Sequence, residues 1–146
     1  MEGDVEKERR QFKKYTYRGV PLSELVKMPL LKFSELLTSS KRRRLRRGIS
    51  ERELDLLKKC ALSKKNAEGT QEKPDMVKTQ ARTMVIVPQM VGCVIGVHNG
   101  RVYVPVEIKP EMIGYYLKDF SDTKTCSTHG KPGVGATSGS KFVPLK

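Results

Sequence analysis

The chain has 146 residues, with 29 Lys and Arg against 16 Asp and Glu, a formal charge of +13 and a sequence pI of about 9.8; such an excess points to a polyanionic partner. Apolar residues make up only 37% and there is no Trp, so the core is small and self-repulsion favours a chain that orders against its counter-charge. The longest apolar stretches, such as Met84-Val85-Ile86-Val87, fall far short of the roughly 20 residues that cross a bilayer, so no membrane partner is expected. The N-terminus is charged and lacks a secretory apolar core, and three dispersed cysteines, Cys60, Cys93 and Cys126, read as free thiols of a reducing compartment.

In chain order, residues 1–20 read as a basic N-terminal arm in which Phe12, Tyr15 and Tyr17 interleave with Lys13, Lys14 and Arg18. Residues 21–70 read as a helical basic region. Leu22, Leu25 and Val26 predict a short amphipathic helix from Pro21 to about Met28. A second helix begins near Pro29 or Leu30, carries Leu30, Phe33 and Leu37 on one face and runs on through Lys41–Arg47 to a stop at Gly48. A third opens on the capping box Ser50 and Glu53, repeats Leu54, Leu57 and Ala61 along one face and ends at Gly69.

Past Lys73-Pro74 the period changes to about 2, and residues 71–120 read as an α/β core. Met84–Val87 predicts one strand, closed by Pro88, and Cys93–Val97 a second. Asn99-Gly100 predicts a type I′ hairpin with positive φ at both residues, leading into a strand with Val102, Val104, Val106 and Ile108 on one face. Pro105 lacks an N–H, which makes that strand an edge. Pro110 opens a covering helix bearing Ile113, Tyr116, Leu117 and Phe120. Residues 121–146 are glycine-rich, carry Lys124, Lys131, Lys141 and Lys146, and read as a flexible cationic tail. The expected class is α+β: a small three-stranded sheet with a C-terminal covering helix, preceded by basic helices and followed by an extended tail.

The most pointed chemical feature is the run Lys41, Arg42, Arg43, Arg44, Arg46 and Arg47. On a helix these side chains spread around more than half the circumference, a distribution suited to a phosphate backbone rather than to one small acidic patch. Catalytic and metal motifs are weak. Cys126 and His129 have a C-x2-H spacing, but Cys60, Cys93 and His98 lie in other contexts and no four-ligand zinc set forms. Gly130–Thr137 has the glycines of a phosphate loop, with Ala136-Thr137 in place of Lys-Ser/Thr. No acid/base pair or triad is visible, so neither a cofactor nor an enzyme is expected. A free nucleic-acid-binding regulator built on a helix-turn-helix over 30–47 and 50–67 is the alternative. It fits poorly, because its basic charge wraps around the helix instead of lying on one side.

The segments Ile86–Gly92, Val97–Arg101, Val104–Ile108, Lys109–Gly114 and His129–Lys131 resemble those of the universal small-subunit ribosomal proteins of the S-nineteen family. The extra helices, the arginine run and Phe142–Lys146 resemble its eukaryotic, S-fifteen type. The similarity runs from about Phe12 to Lys146, with one departure, Lys118, where the family has glycine before its acidic residue and phenylalanine. The resemblance implies a non-enzymatic constituent of the small-subunit head that binds the 3′ major domain of the ribosomal RNA near the decoding region. It further implies a neighbour of the S-thirteen family, a C-terminal tail close to transfer RNA, residence on cytoplasmic ribosomes, and passage through the nucleus and nucleolus during assembly. Matched position by position, Lys78, Arg82, His98, Asn99, Arg101, His129 and Lys131 become candidate RNA contacts beside Lys41–Arg47.

Overall fold

A computed structural model describes residues 15–69, 73–124 and 145. Ahead of the helices, β1 (Thr16–Tyr17) and β2 (Val20–Pro21) pair antiparallel across Arg18-Gly19. Both turn residues have positive φ, 49° and 85°, the geometry whose twist matches a two-residue hairpin. Tyr17 turns inward, its ring 6.1 Å from that of Phe33, so it is a packing residue.

Helix α1 (Leu22–Lys27) forms as expected and buries Leu25. The expected continuous helix from Leu30 to Arg47 is two helices, α2 (Leu30–Leu36) and α3 (Ser39–Arg46). Leu37 and Thr38 between them are extended, with ψ of 163° and 155°. Thr38-Ser39-Ser40 supplies three hydroxyl side chains that compete with helical backbone bonding and favour a new start. The break also lets Phe33 and Leu37 on one side of it and Leu45 on the other all enter the core.

Helix α4 (Glu51–Ala67) has the expected capping box, with Ser50 N–H donating to Glu53 Oε2 at 3.1 Å. Its buried face is Glu53, Leu56, Cys60 and Ser63; Leu54 and Ala61 face water and Leu57 is half-buried. The expected periodicity is present but turned by one residue. The inward stripe is partly polar because each polar member has a partner: Glu53 meets Arg44, and Ser63 Oγ donates to Asp75 O at 2.9 Å.

The sheet has the order β3-β4-β5, with β3 (Val77–Thr79) parallel to β4 (Val94–His98) and β4 antiparallel to β5 (Tyr103–Glu107). Its first strand is thus Val77–Thr79, three residues at least partly exposed and without an apolar pattern, and not the expected Met84–Val87. That segment is buried throughout and bonds instead to residues 114–117, through one bridge between Val85 and Tyr116 and an Ile86 N–H donating to Tyr115 O at 2.8 Å. A four-residue apolar run gives no signal to separate these two pairings. Pro105 lies on β5, at the sheet edge, as its missing N–H requires.

The β4–β5 loop is Asn99–Val102, two residues longer than a type I′ turn, and among the described non-glycine residues only Arg18 has positive φ. Asn99 acts through its side chain: Oδ1 accepts the N–H groups of Arg101 and Val102, each at 2.9 Å. Val102 belongs to this loop and is exposed, while Val106 and Ile108 are buried. Gly100 has φ of +104°, so Gly100→Val is expected to destabilise the protein by about 1–2 kcal/mol, read as a lower urea midpoint at unchanged m-value; a wild-type midpoint would show that the loop tolerates a side chain there.

The expected covering helix is two 3₁₀ turns, Pro110–Met112 and Leu117–Phe120, separated by Gly114 with φ of +86°. A Cβ on Gly114 would lie 2.7 Å from the Tyr17 hydroxyl and 3.3 Å from Leu37 Cδ2. The helical spacing of Ile113, Tyr116, Leu117 and Phe120 is nonetheless used, since Ile113 and Leu117 are buried and the other two pack on the core. The turn at Pro110–Gly114 repeats an earlier one at Pro88–Gly92, both Pro-x-Met followed by Val or Ile and a left-handed glycine. The two turns cross-bond: Gly92 N–H donates to Ile108 O at 2.9 Å and Gly114 N–H to Ile86 O at 3.0 Å. Lys118 lies in the second 3₁₀ turn without positive φ, its ammonium 5.0 Å from the Tyr116 ring centroid, so the lysine is accommodated without strain. One core unites helices and sheet, from Leu25, Phe33 and Leu37 through Leu56 and Cys60 to Ile95, Val97, Ile108 and Leu117. No helix among the described residues is long and apolar enough to cross a membrane.

Candidate nucleic-acid interface

Helix α3 has one buried residue, Leu45, and is otherwise Ser39-Ser40-Lys41-Arg42-Arg43-Arg44 and Arg46. That single anchor fixes which cations face outward: Arg43, Arg46 and Arg47 are exposed, and Lys41, Arg42 and Arg44 are half-buried. Their duties differ. Arg44 Nη2 donates to Glu53 Oε1 at 2.5 Å and to Thr83 Oγ1 at 2.9 Å, tying α3 both to α4 and to the connection between β3 and β4. The Lys41 ammonium sits 5.2 Å from the Tyr115 ring centroid and 5.3 Å from that of Tyr116, a cation–π contact to both rings. Arg43, Arg44 and Arg47 line a concavity of about 310 Å³ with Ser40, Gly48, Ser50 and Glu53.

From Thr83 the network passes to its neighbour Arg82, whose guanidinium donates to His98 O and, through Nη2, to Ser121 O at 2.6 Å. Arg82 therefore joins the end of β4 to the chain leaving the last 3₁₀ turn, and most of its donors point inward. His98 Nδ1 accepts from Gly100 N–H at 3.1 Å, and its ring packs edge-on against Tyr103 at 4.8 Å. Asn99 is occupied in holding the loop, while Arg101 and Lys78 are exposed. Helix α3, the Arg82-Thr83 corner and the hairpin tip thus form one connected band. His129 and Lys131 lie outside the described residues.

Two cations on α4 extend the band and are missing from the sequence-based set. Arg52 and Lys59 line a groove of about 200 Å³ with Lys78, whose ammonium lies 5.8 Å from the Tyr103 ring centroid; Leu56 and Ala81 contribute apolar wall and Asp55 the one acid. The spacing of seven puts Arg52 and Lys59 on one face of α4, a signal present in the sequence once Leu56 rather than Leu54 is known to point inward. The groove therefore pairs positive charge with an aromatic ring, the combination that suits a nucleic-acid strand.

The matching family model, ribosomal protein S19, covers residues 43–129. The small ribosomal subunit protein uS19 of Caenorhabditis elegans is 49% identical over 140 residues, 96% of this chain and 92% of that protein. The chain belongs to the ribosomal protein S19 family. The S19 match takes in the last arginines of α3, all of α4 and the sheet, so the connected basic band lies largely inside it. The S19 family is a structural, non-enzymatic class of ribosomal protein.

Proposed function

We propose that the protein is a structural constituent of the small ribosomal subunit that grips ribosomal RNA through the band formed by α3, the Arg82-Thr83 corner, the hairpin tip and the α4–β3 groove. The observation that carries this reading is the helix α3 itself, fastened by Leu45 and Arg44 with Arg43, Arg46 and Arg47 left facing out. Exposed cations of this kind make phosphate and 2′-hydroxyl contacts that position a protein on RNA without reading its sequence. Within the band the side chains divide the work: Arg43, Arg46, Arg47, Lys78 and Arg101 contact RNA, while Arg44, Arg82 and Asn99 shape the surface that presents them.

The same proposal extends to the finer assignments. The RNA is the 3′ major domain of the small-subunit RNA, the protein neighbour in the head is of the S-thirteen family, and the tail from 121 onward, including His129 and Lys131, lies near bound transfer RNA. The protein works on cytoplasmic ribosomes after joining them in the nucleolus. Sedimentation of tagged protein through a high-salt gradient is expected to place it with small subunits in stoichiometric amount. Recovery at the top of the gradient would instead point to a free regulator.

A further inference from the structure

Cys60 and Cys93 come from different parts of the fold and meet in the core. Cys60 is on the buried face of α4, 2% exposed, and Cys93 stands directly before β4, 0% exposed. Both are free thiols. Cys93 Sγ donates to Cys60 O at 3.6 Å, so the two cysteines touch across the seam between α4 and the sheet. One turn along α4, Lys64 Nζ donates to Gln89 O at 2.6 Å, in the 3₁₀ turn that leads into Cys93, which brings a cation close to the pair. We propose that Cys60 and Cys93 are a reversible disulfide site, responsive to peroxide, that staples α4 to the sheet.

The two sulfurs are already differentiated for such a reaction. The hydrogen bond from Cys60 lowers the Cys93 thiol to about 7, against the opposing effect of burial and with help from the Lys64 charge, while Cys60 is raised. Cys93 is then the nucleophile and Cys60 the resolving thiol. The Cys93 thiolate attacks one oxygen of hydrogen peroxide; the O–O bond breaks, leaving a sulfenic acid and a hydroxide that takes up a proton to become water. Cys60, as it loses its proton, attacks the sulfenic sulfur, the S–S bond forms, and the departing hydroxide leaves as a second water. Two thiols give up two electrons and one peroxide accepts them. A dithiol reductant reverses the step.

Burial sets the rate. The pair reacts when the C-terminal half of α4 parts from the first 3₁₀ turn, a local opening that the Lys64–Gln89 bond resists, so oxidation is slower than at an exposed thiol. The bond encloses the segment between residues 60 and 93, which includes β3 and the groove and corner residues Lys78 and Arg82. The staple therefore locks the Arg52 and Lys59 side of the groove to its Lys78 side.

The test uses the full chain, reduced and then treated with hydrogen peroxide. The expected result is loss of two hydrogens from the intact mass, a single Cys60–Cys93 cross-linked peptide in a non-reducing map, Cys126 outside that bond, and full reversal by dithiothreitol. The oxidised form is expected to melt about 5–10 °C above the reduced form. Absence of the Cys60–Cys93 peptide under conditions that cross-link the urea-unfolded chain would overturn the proposal, as would a map dominated by pairs with Cys126. Cys126→Ser is expected to retain the cross-link, and the wild-type map decides the question even where Cys60→Ser or Cys93→Ser fails to fold.

Discussion

Replacing Arg43, Arg46 and Arg47 together by Gln is expected to lower the slope of log affinity for small-subunit RNA against log salt by about 2–3. Each phosphate that a cation neutralises releases condensed counterions from the RNA and adds about 0.7–0.9 to that slope. The three side chains are exposed and point away from Leu45, so removing their charge leaves packing intact and the urea midpoint is expected to stay near wild type. Arg44→Gln is the contrasting variant. Its guanidinium is engaged with Glu53 and Thr83, so it is expected to lower the midpoint and to change the slope by much less than one phosphate's share. Filter binding or fluorescence anisotropy across a salt series separates the two behaviours. An unchanged slope in the triple variant would mean that these arginines remain hydrated in the complex and that RNA is held elsewhere on the band.

That contrast also marks what a sequence can convey about such a surface. The density of charge in Lys41–Arg47 is legible from composition, and the capping box that starts α4 is legible from Ser50 and Glu53, three apart in the chain. The division of labour within the run is not, because it depends on which side of α3 carries Leu45, and that depends on the break at Leu37-Thr38. Equally hidden is β3: Val77-Lys78-Thr79 has no apolar run, and it is a strand because β4 offers its free edge, with Lys78 set opposite Gly96. Met84–Val87 shows the reverse error, where strand-like composition serves a buried segment paired outside the sheet. The repeated Pro-x-Met turn is visible as a motif, yet only its cross-bonding explains why Pro110 starts a 3₁₀ turn rather than a helix: Gly114 must reach Ile86 while keeping clear of Tyr17. Local signals thus identified elements whose stability is local, and failed where a distant partner decides.

Glu53→Ala is expected to cost about 2–4 kcal/mol, which for a small domain is a large part of the total stability. Two effects combine. The carboxylate caps α4 by accepting Ser50 N–H, an interaction worth about 1 kcal/mol. It is also the partner of Arg44, and removing one member of a buried pair strands the other, at about 3–5 kcal/mol when both are enclosed. Here the Glu53 side chain is 5% exposed and that of Arg44 36%, so the freed guanidinium turns partly to water and the penalty falls below the full figure. The sign of the coupling gives the sharper test. Arg44→Met alone leaves a buried carboxylate with only the Ser50 N–H to satisfy it, so it is expected to be destabilising, whereas Arg44→Met with Glu53→Met replaces both charges by apolar atoms and is expected to recover part of the deficit. Urea unfolding of the wild type, Arg44→Met, Glu53→Met and the double variant closes this cycle and yields the pair's interaction energy directly. The same pair sets where α3 lies against α4, and with it the direction in which Arg43, Arg46 and Arg47 face. RNA affinity of Glu53→Ala, measured where it is still folded, is therefore expected to fall although the variant gains a unit of net positive charge. A rise in affinity, as charge alone demands, together with an unfolding free energy within about 0.5 kcal/mol of wild type, would show that α3 holds its place without Glu53.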